Sequence, residues 1–319
     1  MEGKSMRVLV TGGAGFIGSN LVHALINGGV DVGIIDDFST GSMANIHPAA
    51  WLRRMDILDP GLASAVAEFA PDAVVHLAAQ TDVTRSIEDP ERDRAVNVDG
   101  TVAVARAAAA AGARRMLSAS SAAVYGVPDS LPIREDAPKR PANPYGASKL
   151  AAESALAETL AGTGVDFACM RFSNVYGPRQ DWRGEGGVVA IFAGRLAAGE
   201  RPVIYGDGRQ TRDFIYVGDV VAFIFHALES EGTLAQPGPD GPAYNVSTGQ
   251  PTSVAQIAAY LSAASRVLKA PEHRDAREGD IPDSVLDPGK ASEALGWAAA
   301  QGLENGLAFT WRWMCANLT

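Results

Sequence analysis

The segment Thr11-Gly-Gly-Ala-Gly-Phe-Ile-Gly18 limits what this chain can fold into more than any other stretch. It follows a short apolar run, residues 6–11 (MRVLVT), that reads as a strand buried on both faces. It opens residues 18–28, where Leu21, Val22, Leu25 and Ile26 recur at helical spacing. Between strand and helix, Gly12 permits a tight turn, Gly15 lets the backbone approach a pyrophosphate, and Gly18 lets helix and strand pack closely. The helix N-terminus, beside Phe16, Ile17 and Gly18, offers amides and a positive dipole end to phosphates. A glycine triplet alone is compatible with a plain turn. Here the next strand, residues 30–36, ends on Asp36 followed by Asp37. A carboxylate there accepts from ribose hydroxyls and repels a 2′-phosphate, and no nearby arginine replaces it, so the expected cofactor is NAD rather than NADP.

The alternation continues with strands at 73–78, 115–120 and 166–172, separated by helical segments that include the alanine-rich 101–111 and 147–161. This predicts an α/β chain with a Rossmann-type doubly wound parallel sheet, ligands collecting beyond the carboxyl ends of its strands. After Asn174 the alternation decays, and 184–187, 205–208 and 232–242 read as loops, with 236–242 (QPGPDGP) an exposed linker. The expected division is a dinucleotide domain over 1–173, with a returning segment near 213–230, and a smaller α/β substrate domain over 174–319. Met1–Ser5 precedes a second methionine, Met6, at which a native start fits.

With 47% hydrophobic and 20% charged residues the chain is globular, and its net charge of −10 opposes general binding of nucleic acid. An anionic ligand must therefore be held by local arginine, lysine or backbone amides. No apolar run approaches the ~18 residues of a membrane span, and the N-terminus leads into a strand with no cleavable apolar region. The two cysteines, Cys169 and Cys315, lie far apart in apolar surroundings and read as two buried small hydrophobes, with neither a disulfide framework nor a metal site. A reducing cytoplasm fits these features.

Tyr145-Gly-Ala-Ser-Lys149 sets Tyr and Lys at i, i+4 where a helix opens, hence on one face. A cation about 4 Å from the phenol, at an effective dielectric near 20, contributes roughly 4 kcal/mol. That would lower the phenol by about three pKa units from its ordinary value near 10 and make Tyr145 a general base. Ser121, on the loop after 115–120, is placed to hydrogen-bond the same substrate hydroxyl. An ordinary helix-surface pair is the plainer alternative, and the glycine loop upstream argues against it. Asp56, with Ile57 beside it, follows the third strand, where an acid accepts from an adenine amino group; capping a helix before Pro60 is its alternative.

The motifs TGGAGFIG, SSAAVYG (120–126), YGASK, RFSNVYGP (171–178), RDFIYV (212–217) and REGDIP (277–282) follow one another as in the extended short-chain dehydrogenases. The chain resembles the NAD-dependent epimerase/dehydratase family over essentially its whole length, and within it the UDP-glucose 4-epimerases. The resemblance implies Tyr145 as base, Lys149 bridging the nicotinamide ribose and Tyr145, and Ser121 as hydroxyl partner. It implies further cofactor contacts from Leu77, Ala78, Ala79, Asn97 and Phe172. It implies that Asn174, Val189, Tyr205, Arg212, Arg277 and Asp280 hold the UDP-sugar. Arg212 and Arg277 also make independent sense, since an acidic protein binding a diphosphate needs fixed cations. In the family the alanine-rich helices form a four-helix dimer interface, which implies a homodimer.

Relatives that eliminate water or decarboxylate carry an acid just after the catalytic Ser or Thr, where this chain has Ala122 and Ala123. Methyl groups shuttle no protons, so the resemblance narrows to hydride chemistry at C4 through a 4-keto intermediate, with NAD bound throughout. Asn174 stands where glucuronate epimerases carry Thr, which favours an uncharged hexose. Ser284 falls where a bulky Tyr restricts some epimerases to glucose and galactose, so UDP-GlcNAc/UDP-GalNAc joins UDP-glucose/UDP-galactose as expected substrate. The alternatives are a UDP-glucuronate 4-epimerase, another nucleotide-sugar reductase or dehydratase, and a non-catalytic NAD-binding regulator, which usually lacks Tyr or Lys of the YxxxK pair.

Overall fold

A computed structural model describes residues 5–183, 186–236, 238, 240–266, 270–276 and 281–317. Within them the chain runs β1 (Arg7–Thr11), α1 (Phe16–Asn27), β2 (Asp31–Asp36), β3 (Trp51–Arg54), α2 (Leu62–Phe69), β4 (Ala73–His76), α3 (Val83–Glu88) and α4 (Pro90–Arg94). A π-helical turn, Ala95–Asp99, leads into α5 (Gly100–Ala110). Then come β5 (Arg115–Ser121), α6 (Pro144–Leu160), β6 (Asp166–Phe172), β7 (Asn174–Tyr176), α7 (Val188–Ala197), β8 (Val203–Tyr205), β9 (Thr211–Tyr216) and α8 (Val217–Glu229). The remainder is β10 (Ala243–Val246), β11 (Pro251–Ser253), α9 (Val254–Ser265), β12 (Glu272–Arg274), β13 (Asp283–Ser284), α10 (Gly289–Leu295) and α11 (Leu303–Asn317).

The expected doubly wound sheet is present, with seven strands in the order β10-β6-β5-β4-β1-β2-β3. Strand β1 is parallel to both β2 and β4, and β2–β3 and β4–β5 are parallel as well. The order turns back at β1, whose neighbours β2 and β4 lie on either side, so the glycine loop leaves the sheet at its switch point. Strands β1, β2 and β4 are apolar on both faces because helices cover both.

Two compact units make up the chain: Met1–Gly126, Pro138–Arg171 and Ile224–Tyr244 form one, and Val127–Ala137, Phe172–Phe223 and Asn245–Thr319 the other. Sequence placed the division after 173 with a return near 213–230; by contacts it falls after Arg171 and the return is Ile224–Tyr244, while Val127–Ala137 goes with the second unit. In the first unit Leu9, Val66, Val74, Val104, Met116, Leu156 and Leu160 pack together, with Cys169 among them. The second unit packs Tyr176, Phe192, Ile204, Phe214, Ile257, Leu261 and Leu307 around a sheet in which β9 pairs with β7, β11 and β13. Cys315 departs from expectation: it is exposed. The buried face of α11 is set by Gly306, Leu307, Thr310 and Met314, and the next residue turns about 100° away from that stripe.

The helix that carries Tyr145 and Lys149 is fastened to the sheet by a buried charge cluster. Arg171, 1% exposed at the end of β6, donates through Nε and Nη2 to the two carboxylate oxygens of Glu153 at 2.9 and 2.6 Å, and through Nη1 to Tyr125 Oη at 2.9 Å. Ser120 Oγ donates to Glu153 at 2.5 Å. Glu153 sits one turn beyond Lys149 on α6, so this pair fixes the rotation of the helix. Replacing Arg171 by Leu strands a buried carboxylate, and is expected to cost about 3–5 kcal/mol of stability. Urea unfolding measures it; a loss under about 1 kcal/mol, the scale of an exposed pair, would contradict the assignment.

Candidate functional site

Each residue of the glycine loop meets a distinct steric demand. Gly12 adopts φ +70°, and a Cβ there would lie 2.6 Å from Ala78 N. At Gly18 a Cβ would come within 2.1 Å of Gly12 O, so the start of α1 closes onto the loop only because both are glycine. A Cβ on Gly15 would meet only Gly12 O, at 3.3 Å, which leaves an open approach at the helix N-cap. Ser19 N donates to Gly15 O, making it the first intrahelical bond, and the amides of Phe16, Ile17 and Gly18 precede it in the first turn. Such a cradle fits a pyrophosphate.

Asp36 is 6% exposed and accepts from the amides of Ala14 and Phe38, both at 2.8 Å. Burial raises its carboxyl above the usual carboxylate range, opposed by these two amides and assisted by neighbouring Asp37. Phe38 holds φ 62°, a left-handed geometry unusual for a bulky residue. Asp37 is exposed and closes a turn with Ser39. Asp56 accepts from Leu58 N at 2.9 Å and pairs with Arg92 at 3.2 Å. It does not cap α2, whose N-cap is Gly61. Ile57 is buried in the core and touches the position of Gly100, so only its backbone is available for a ligand.

A directional chain of buried hydrogen bonds runs from this loop to the helix with Tyr145. Ala78 N donates to Thr11 Oγ1 at 3.3 Å, and Thr11 Oγ1 lies 2.7 Å from His76 Nδ1. His76 Nε2 lies 3.1 Å from Thr101 Oγ1, which donates to Asn97 O at 2.6 Å. Because Thr101 spends its proton on Asn97, the network assigns the imidazole proton to Nε2. Burial, with Lys149 second, pushes His76 down to about 3, so the ring is neutral. Asn97 occupies the π-helical turn, a geometry concentrated at functional sites. Its side chain accepts from Gln80 N at 2.9 Å and donates to Gln80 O at 3.0 Å and Ser148 Oγ at 3.0 Å. Asn97 is thus engaged within the protein and braces the loop of Leu77, Ala78 and Ala79 through Gln80. Ser148 Oγ donates in turn to Tyr145 O at 3.0 Å, and Tyr145 N donates to Ser86 Oγ at 3.2 Å.

Asn143 caps α6 by accepting from Gly146 N at 2.8 Å, with Pro144 as the first helical residue. That start lifts Tyr145 to the end of β5, where its phenol hydrogen-bonds Ser121. Ser121 Oγ also accepts from Ala123 N at 3.1 Å. Ala122 and Ala123 follow in a 3₁₀ turn, and a Cβ on Gly146 would stand 2.5 Å from Ala123 O, so the helix start rests on that turn. Lys149 is 6% exposed and donates to Ala119 O at 3.1 Å.

One sequence expectation fails. Tyr145 is raised, not lowered: burial is the largest cause, Asp93 adds to it, and the Ser121 hydrogen bond opposes it. The i, i+4 spacing put Lys149 on the right face, but its ammonium is directed to Ala119 O, and burial lowers it to about 8 against the pull of Asp93, Glu153 and Cys169.

In the second unit Arg212 and Ser284 are register partners across β9 and β13, and Asn174 pairs with Phe214 on the same β9. Arg212 Nη1 donates to Thr211 O at 2.9 Å and Pro282 O at 3.2 Å. Tyr205 ends β8 half-buried. The side chain of Val189 is 1% exposed within the core, which leaves its amide, in the first turn of α7, as its contact group. Phe172 is 7% exposed at the end of β6. Arg277 and Asp280 lie outside the described residues. Sequence reasoning missed Asp93, Gln80, His76, Thr101, Ser148 and Ser86. The signal was a polar residue in an apolar strand for His76; Thr101 opens the alanine-rich 101–111, and Ser148 stands inside YGASK.

The model of the NAD dependent epimerase/dehydratase family matches residues 8–247. A UDP-glucose 4-epimerase of Mycolicibacterium smegmatis is 42% identical over 311 residues, covering 96% of this chain and 97% of its own. The crystal structure of Thermus thermophilus UDP-glucose 4-epimerase in complex with NAD is similar at TM-score 0.88 and 38% identity, covering 98% of this chain and all of that one. A UDP-N-acetylglucosamine 4-epimerase from Methanobrevibacter ruminantium, in complex with UDP-N-acetylmuramic acid, is similar at TM-score 0.91 and 31% identity, covering 98% and 99%. In the ligand-free protein Lys149 is expected to titrate near pH 8 by nitrogen-15 NMR of labelled lysine side chains, identified against Lys149→Met. A midpoint near the ordinary lysine value of about 10.4 would refute its desolvation.

Proposed function

The chain belongs to the NAD-dependent epimerase/dehydratase family, and from that premise we infer that it interconverts nucleotide sugars at C4. The observation that carries this is the hydrogen-bonded Ser121–Tyr145 pair beside buried Lys149, with Ala122 and Ala123 where elimination chemistry would need an acid. The reading supported is UDP-glucose/UDP-galactose and UDP-GlcNAc/UDP-GalNAc epimerisation.

Bound NAD supplies reversible hydride acceptance at C4. The cradle of Gly12, Gly15 and Gly18, the amides of Phe16 and Ile17, and Asp36 would hold it; Asp37, Asp56 and the backbones of Ile57 and Leu77–Ala79 would line it. Tyr145 Oη takes the proton of the 4-hydroxyl and returns it to the 4-keto sugar when the opposite face is reduced. Ser121 holds the sugar oxygen and the phenol together. Lys149 keeps a positive charge by the phenolate, which favours the ionised phenol against the burial that raises it. Arg212 and Arg277 would neutralise the diphosphate, the Val189 amide would donate to it, and Asn174, Tyr205, Asp280 and Ser284 would contact the uridine or sugar.

A homodimer is the proposed assembly. Its support is the run of small, exposed residues Ala147, Ala151 and Ser154 on α6, which allows close helix approach. No described helix is long and apolar enough to cross a membrane, and the proposed location is the cytoplasm, which suits two cysteines that form no disulfide among the described residues.

Incubation with UDP-galactose, UDP-GalNAc and UDP-glucuronate, without added NADH, should yield C4 isomers of equal mass from the first two. Preference for UDP-glucuronate would favour the glucuronate reading. Tyr145→Phe should retain NAD and lower kcat by about 10²–10⁴-fold; undiminished turnover would overturn the assignment of the base. Ser284→Tyr should reduce kcat/KM for UDP-GalNAc by roughly tenfold more than for UDP-galactose, since overfilling a pocket penalises the larger substituent. Equal losses on both would remove Ser284 from the sugar pocket.

A further inference from the structure

Asp93 belongs to none of the motifs above. It sits on α4, 1% exposed. Its Oδ1 accepts from Gln80 Nε2 at 2.7 Å and Asn97 Nδ2 at 3.2 Å. Its Oδ2 is buried without a hydrogen-bond partner. Burying a carboxylate oxygen in this way is costly unless a nearby cation offsets it. Lys149 supplies one, because the charge of Asp93 acts on both Lys149 and Tyr145.

We propose that Asp93 is a positioning residue whose buried charge retains the ammonium on Lys149 and, through Asn97 and Ser148, braces the start of α6, so that it sets the pH range in which Tyr145 and Lys149 work. This rests on the reading of those two side chains as the reacting pair. Lys149 also faces His76 from β4, Cys169 from β6 and Glu153 from its own helix. Tyr145 faces Ser121 from β5. Arg85 and Glu88 of α3, Glu91, Arg92 and Arg94 of α4, Asp99 of the π-helical turn and Arg106 of α5 are exposed, and Arg115 of β5 is committed to Asp166 and to carbonyls at and just after the end of α8. Glu153 is bound in both oxygens by Arg171. Asp93 is therefore the buried carboxylate, among the described residues near this pair, that carries no ion pair of its own at bonding distance.

The sign follows from charge. A negative group raises both a phenol and an ammonium, so removing it lowers both. Asp93→Asn keeps Oδ1 and its two accepted bonds while removing the charge. In the NAD-loaded enzyme turning over UDP-galactose, both limbs of the kcat/KM profile should move to lower pH, on the order of one unit. Asp93→Glu should keep the wild-type limbs. A purely structural role would depress the rate in either variant and leave the limbs in place, which would overturn the proposal, as would a shift in the Glu variant equal to that in Asn. A second measurement needs no substrate: carbon-13 NMR of labelled tyrosines in NAD-loaded protein, with Tyr145 identified against Tyr145→Phe. Its midpoint should fall in Asp93→Asn and in the smaller neutral Asp93→Ser, and an unmoved midpoint in both overturns the proposal. Absence of wild-type turnover on every nucleotide sugar would sink the epimerase reading, and the titration would still decide the role of Asp93.

Discussion

Buried polar groups must find partners, and in this protein the requirement links the cofactor cradle to the helix that bears Tyr145. Thr11, the last residue of β1, meets His76 at the end of β4; His76 meets Thr101; Thr101 returns to the carbonyl of Asn97; Asn97 reaches Ser148. Each group is buried, so each bond left unmade would cost the desolvation of its donor or acceptor. The neutral imidazole is what makes the chain run in one direction, accepting at Nδ1 and donating at Nε2. A charged ring would donate at both nitrogens, and the hydroxyl proton of Thr11 would lose Nδ1 as its acceptor.

Burial works against charge at this site, in opposite senses on the two partners. It raises Tyr145 and lowers Lys149, and so drives both toward neutral forms. The free protein therefore holds a protonated phenol and an ammonium that sheds its proton easily. Spacing alone reports the attraction between the pair and not the cost of taking each from water. Asp93 and Glu153 supply the negative charge that keeps Lys149 from falling further.

In the proposed function the second unit would face a different problem, holding an anion with a chain whose net charge is −10. Its answer is local. Arg212 is anchored by its own carbonyl contacts on β9, and Ser284 is set beside it by the pairing of β13. The core position of Val189 shifts the proposed contact there from side chain to amide, a distinction that hydrophobic patterning cannot make, since it reports burial and not which backbone groups remain open.

Local chemistry was legible in the sequence. The glycine spacing, the acid ending β2, the i, i+4 Tyr–Lys pair and the two alanines after Ser121 each follow from a demand that acts within a few residues: φ above zero, close backbone approach, one helical turn, or the absence of a proton carrier. The parallel alternation gave the doubly wound sheet on the same grounds. What only the tertiary structure decided came from groups distant in sequence. The charge of Asp93 acts on Lys149 across 56 positions, Arg171 meets Glu153 across the sheet–helix interface, and Ile57 and Val189 turn inward. Protonation belongs to this second class, because desolvation and charge are summed over everything packed around a group, and that neighbourhood exists only once the chain has folded.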